Sequence, residues 1–190
     1  MSLTLTGLED LSSQINMYAS SCPANQQMLQ LSRAVKEFFI RTCLWTDKQT
    51  ITVLDGVYDY DLAFSDNVFI SDIASVMYED IDYLPKVTLL DDNTIRLDEE
   101  LVLRLVGKDL KIETVLAPNS FPCDIPSRLV TRYAEFLIAG ALVNISGIPN
   151  KSYTNPNLEA KMGQKWQFGL TRASSDGATG NKKQIVGFTG

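Results

Sequence analysis

The sequence predicts an α+β protein with helices at both ends and an antiparallel β domain inserted between them. Three observations carry this. Apolar residues recur every three or four positions over about 8–46 and again over about 125–172. Between these stretches the apolar period shortens to two, the period of half-buried strands. Charge changes at the same places: residues 47–124 hold 17 acids and 6 bases, net −11, whereas 1–46 are balanced and 125–190 hold 3 acids and 8 bases, net +5. The division is therefore 1–46 with 125–172 as a helical bundle, 47–124 as a small β sandwich or barrel, and 173–190 as an extended C-terminal tail.

A first helix is expected from Leu8, Leu11, Ile15 and Tyr18 or Ala19, spaced by three and four. A second starts near Ser21 or Cys22 with Pro23 in its first turn, where a missing N–H costs nothing. Its apolar stripe is Met28, Leu31, Val35, Phe38, Phe39 and Thr42. Gln26, Gln27, Gln30, Arg33, Lys36 and Glu37 form the polar side, and the end falls near Leu44-Trp45.

Ile51 and Val53 alternate with threonines, Asp55-Gly56 is a tight-turn pair, and Val57 to Leu62 is strand-prone, which together predict a hairpin. Further strands are expected at 68–78, 86–90, 94–97, 101–106 and 110–116. A helix opened by Ile125-Pro126-Ser127 follows, with Leu129, Tyr133, Phe136, Leu137, Gly140 and Ala141 inward and Gly147 at its end. The last helix starts at Asn155-Pro156 and reaches about Arg172, with Met162, Trp166, Phe168 or Gly169, and Leu170 as its apolar residues. Ser174 to Asn181 has a flexible-linker composition, leading to a strand-like tip.

Composition excludes much chemistry. The 190 residues contain no histidine, which removes the commonest general base and the triads built on it. Cys22, Cys43 and Cys123 are few and widely spaced, so neither a disulfide framework nor a thiolate zinc site is expected, and reduced thiols fit best. A net charge of −6 disfavours a nucleic-acid binder. No Gly-rich phosphate loop and no nucleophile elbow occur. The longest strongly apolar run, Phe136 to Val143, is too short to span a bilayer, and the N-terminus lacks the pattern of a signal peptide. No cofactor, metal or catalytic residue is expected.

Two other readings remain open from the residues. Asp59, Asp61, Asp91 and Asp92 could hold a hard cation for a hydrolase, although the Gly and Glu of a calcium loop counted from Asp91 are replaced by Arg96 and Val102. A monomeric acidic binding module, chaperone-like or a DNA mimic, is the other. The C-terminal tip, Asn181, Lys182, Lys183, Gln184, Ile185, Val186, Gly187 and Phe188, pairs two lysines with apolar residues. Such a segment can add to a sheet edge of a partner.

The stretch from Ala34 to Trp45, followed by Gln49 to Leu62 with its G-x-x-x-Y-x-L hairpin (Gly56, Tyr60, Leu62), resembles head-to-tail adaptors of tailed phages, including the tail tubular protein A family. The Pro-led helix from Ile125 to Ala141 and the final Asn155-Pro156-Asn157-Leu158 are also similar, while Lys151-Ser152-Tyr153 departs from the family's K-P-W-like link. The resemblance spans about residues 25–172. It implies a non-enzymatic virion protein of the neck or tail, assembled in the host cytoplasm, with no membrane partner. It further implies a ring, commonly of about twelve copies, beneath the portal protein, joined to a tail tube or nozzle protein. Double-stranded DNA would pass through the ring without specific binding, repelled by channel-facing acids. The stretch from Asn181 to Phe188 would dock on the portal.

Overall fold

The computed structural model describes the backbone of residues 5–121 and 125–185, and side chains over 10–121 and 125–177. In chain order the elements are α1 (Leu5–Asn16), α2 (Ala24–Thr42), β1 (Thr46–Thr52), β2 (Asp59–Asp61), β3 (Val68–Tyr78), β4 (Ile81–Asp82), β5 (Val87–Leu89), β6 (Thr94–Leu97), α3 (Glu99–Leu105), β7 (Asp109–Pro118), α4 (Ser127–Ser146) and α5 (Pro156–Ile185). The protein is α+β, with five helices and two antiparallel sheets. Two compact units result: Met1–Leu44 with Pro118–Gly190, and Trp45–Ala117.

In the helical unit, α2 is set by its stripe of Leu31, Ala34, Val35, Phe38 and Phe39, all buried. Pro23 stands at its N-cap rather than inside it. Cys43 closes the helix in the left-handed region (φ 50°), its N–H donating to the Phe39 carbonyl. Gln27 and Gln30, expected on the polar side, are buried. The reason is local for Gln27: its amide donates to the carbonyls of Cys22 (2.8 Å) and Ala19 (3.3 Å), the latter also accepting from the Cys22 N–H, so the buried amide is satisfied by the turn after α1.

Phe38 is the centre of this unit. It is fully buried, and its ring lies 5.3 Å from Tyr133 of α4 and 5.7 Å from Trp166 of α5, centroid to centroid. Helices α4 and α5 meet through two glycines. A Cβ on Gly140 would fall 2.7 Å from the Trp166 ring, and one on Gly169 would overlap Phe136. Each helix thus offers a glycine to an aromatic ring of the other. Of the two candidates for the inner face of α5, Gly169 packs inside and Phe168 faces out. Among the described residues, α4 is long and apolar enough to cross a membrane, more than its eight-residue apolar run suggests. However, 61% of its apolar window is buried inside the protein.

The β unit holds a four-stranded sheet, β1-β7-β3-β4, and a three-stranded sheet, β2-β6-β5. The expected hairpin between the strands flanking Asp55-Gly56 does not form. The turn is present, with Gly56 at φ +70°, but β1 pairs with β7 (Thr46 opposite Val115) and β2 with β6 (Tyr60 opposite Ile95). Val53 exchanges backbone hydrogen bonds with Gly107 and Lys108, so the chain after β1 is committed to its own sheet before the turn. The tight hairpin lies at β3–β4 instead, where Glu79 (φ 45°) and Asp80 (φ 65°) make both positive-φ positions of a two-residue turn.

The strand expected over 101–106 is the helix α3. Leu101, Val102 and Leu105 are buried at helical spacing, and the Asp98 side chain accepts from the Glu100 N–H at 2.9 Å as an N-cap. Acids at 99 and 100 add favourable charge in the first turn. Asp98→Ala is expected to lower stability by about 1 kcal/mol, seen as an earlier urea midpoint with unchanged slope.

Candidate functional site

The helix α5 does not stop near Arg172. It continues to Ile185 through the stretch read as linker. Packing overrides composition here. Ala173 is fully buried, Ser174 Oγ lies 3.4 Å from the Arg41 carbonyl, and Gly177 passes so close to the end of α2 that a Cβ would meet the Thr42 carbonyl at 3.0 Å. Small residues allow that approach where large ones would not. Asp176 then accepts from the Tyr133 hydroxyl at 2.6 Å and from Arg132 at 2.8 Å. Of the expected docking segment, Asn181, Lys182, Lys183, Gln184 and Ile185 belong to the last turns of α5, so that part is helix and not a strand-like tip. Their side chains, and Val186, Gly187 and Phe188 altogether, lie outside the described residues.

Three of the four carboxylates weighed as metal ligands, Asp59, Asp61 and Asp91, have other partners, while Asp92 takes part through its backbone carbonyl, which accepts from the Ile70 N–H. Asp59 accepts from Arg96 Nε (2.6 Å) and Nη2 (2.7 Å), and this bonding holds its carboxyl below the usual carboxylate range. Asp61 accepts from Thr94 Oγ1 at 2.8 Å. Asp91 accepts from the N–H groups of Asn93 and Thr94, which close the β5–β6 loop and also lower its pKa. Among the described residues no three Asp, Glu or Cys side chains converge on one point. Burial pushes the Cys22 thiol above its ordinary value, which lowers thiolate character at that position.

Two surface features remain, one on each unit. On the β unit an open cleft of about 810 Å³ has Val57, Tyr58, Pro85 and Leu97 among its lining, with Asp98 and Glu99 at its edge. Its cations are engaged: Arg96 with Asp59, and Lys86 with Glu100, whose hydrogen bond raises the lysine pKa. On the helical unit, Lys161, Lys165, Phe168 and Arg172 occupy positions i, i+4, i+7 and i+11 of α5 and are all exposed. Phe168 is 62% exposed, and its ring lies 6.1 Å from that of Phe136, centroid to centroid, in an edge-to-face arrangement. Lys165 pairs with Glu135 at 2.8 Å.

No protein-family model matches this chain, and no curated protein does. The site therefore rests on its own chemistry. Sequence reasoning misses the α5 stripe because it counts Phe168 with the apolar face. The spacing of the three cations around that residue is the available signal.

Proposed function

We propose that the chain is a structural head-to-tail adaptor of a tailed phage. It oligomerises, most simply as a dodecameric ring, beneath the portal and passes DNA to the tail. In this reading the two ends of the chain form the bundle, the β unit faces tail components, and the segment from Asn181 to Phe188 reaches the portal. The protein is a building block of the virion neck and not an enzyme.

One observation supports this above the others. The unit built from both chain ends carries 7 acids and 11 bases, net +4, while the inserted unit Trp45–Ala117 carries 16 acids and 6 bases, net −10. Two bodies of opposite sign on one chain suit a part that must touch unlike neighbours in a fixed order. An acidic inserted unit also suits a channel wall, since it repels phosphate and keeps DNA from sticking.

The test is capture by the purified portal protein of the same phage. The full chain is compared with one ending at Gly180, a cut that keeps Asp176 and its partners. Capture of the full chain alone is the expected result. Equal capture of both removes the role of the terminal segment. Capture of neither removes the adaptor reading.

A further inference from the structure

We infer that the α4–α5 face of one copy docks on the acidic β unit of a second copy, with Phe168 seated in the cleft over Val57, Tyr58, Pro85 and Leu97. This rests on the ring reading above and names the contact that would build the ring.

The face has the form of an anchor with a charged rim. Its stripe from Lys161 to Arg172 runs about 16 Å along one side of a helix. Phe168 is 62% exposed at the middle of the stripe, and contact with Phe136 already restricts its ring, so little side-chain freedom remains to be lost on docking. Buried aromatic anchors surrounded by polar rims are where interface energy concentrates. Lys165 and Arg132 are committed to Glu135 and Asp176. Lys161 and Arg172 form no ion pair among the described residues, so two cations flank the ring with charge to offer.

The second copy supplies the complement. Its β unit has net charge −10. The cleft is of mixed character, with Val57, Tyr58, Pro85 and Leu97 lining it beside the acids Asp98 and Glu99, while its own cations are already paired. Glu99 forms no ion pair among the described residues. The volume, about 810 Å³, accommodates a phenyl ring with room for the flanking stems. Because face and cleft differ, each copy carries one of each, and the contact is head-to-tail. Such contacts close into rings when the rotation permits. Duplex DNA is the poorer occupant of the face: its phosphate backbone would answer the cations but offers no recess for the exposed Phe168 ring.

Sedimentation velocity on the full chain at about 50 mM salt, where screening extends beyond about 10 Å, tests this. The chain should self-associate. Phe168→Ala, Lys161→Glu and Glu99→Lys should each weaken association about tenfold or more, and Lys161→Glu combined with Glu99→Lys should recover most of the loss. Melting curves of Phe168→Ala and Lys161→Glu should stay near that of the parent, whereas Glu99→Lys, which reverses a charge in the first turn of α3, should melt slightly earlier; association is read well below that transition, which separates contact loss from unfolding. Absence of association up to about 1 mM overturns the contact, as does loss in both charge variants without recovery in their combination. Stripe-dependent capture of a short DNA duplex by a chain that does not self-associate overturns it too. Portal capture by the unaltered chain is read in parallel. If capture persists while self-association fails, only this contact falls; if capture fails, the adaptor reading falls.

Discussion

Replacing Gly169 by alanine should destabilise the helical unit by about 1–3 kcal/mol, visible as a lower Tm. The added methyl would occupy space held by the Phe136 ring and its own Cβ. Neither can retreat freely, because Phe136 is buried and its backbone belongs to α4. Gly140→Ala should act alike, since its Cβ would reach the Trp166 ring at 2.7 Å. The control lies in the same helix as Gly169. A methyl added at Gly163 would meet nothing within 4 Å, so alanine there should stabilise by about 1 kcal/mol through helix propensity alone. Opposite signs at 163 and 169 are the expected pattern. Adding Phe136→Leu to Gly169→Ala should return part of the lost stability. Equal gains at both glycines would show that α4 and α5 are not interlocked as described.

The second large effect appears in alkali. Burial, and then the hydrogen bond to Asp176, push the Tyr133 phenol up to about 12, while Arg132 and Arg172 pull weakly the other way. An unfolded tyrosine titrates near 10. The folded state therefore holds its proton where the unfolded state releases it. This stabilises the fold in full below about pH 10 and fades as pH rises towards about 12, a loss of about 2–3 kcal/mol. Tyr133→Phe removes the titration. The variant should lose about 1 kcal/mol near neutral pH from the missing hydrogen bond but fall less steeply in alkali. Urea unfolding at several pH values from about 8 to 11 measures both slopes. Parallel slopes for parent and variant would sink the assignment.

Periodicity serves well where one face of a long element is buried. Leu31, Val35, Phe38 and Phe39 carry α2, and the helix from Ser127 to its Gly147 cap follows the expected inward residues from Tyr133 to Ala141. The strand Thr94–Leu97 falls where alternation puts it. It fails where a short segment is decided by partners far away. Seven residues from Glu99 to Leu105 fit either period, and only the Asp98 cap and paired acids separate helix from strand. The Asp55-Gly56 turn is chemically sound, but which strand receives Val53 is settled by Gly107 and Lys108, more than fifty residues on. Ser174 to Asn181 reads as linker by composition, yet at Ser174 and Gly177 small side chains are what close approach to the end of α2 demands. For the candidate surfaces, the charge segregation is plain in the residue order. The cleft is not, because its walls come from the 56–59, 85–88 and 96–99 segments, which only the β2–β6–β5 pairing gathers together.

The insertion of one body within another also sets an order of synthesis. Residues 45–117 are continuous, so that body can complete its sheets as soon as it leaves the ribosome. The first two helices emerge earlier and must wait for Tyr133 and Trp166 before Phe38 and Phe39 are enclosed. While residues from about 43 to 166 are translated, a greasy helix lacks one or both of its mates. The consequence is an apolar stripe over residues 31–42 that stays uncovered on the nascent chain until α4 and α5 are made.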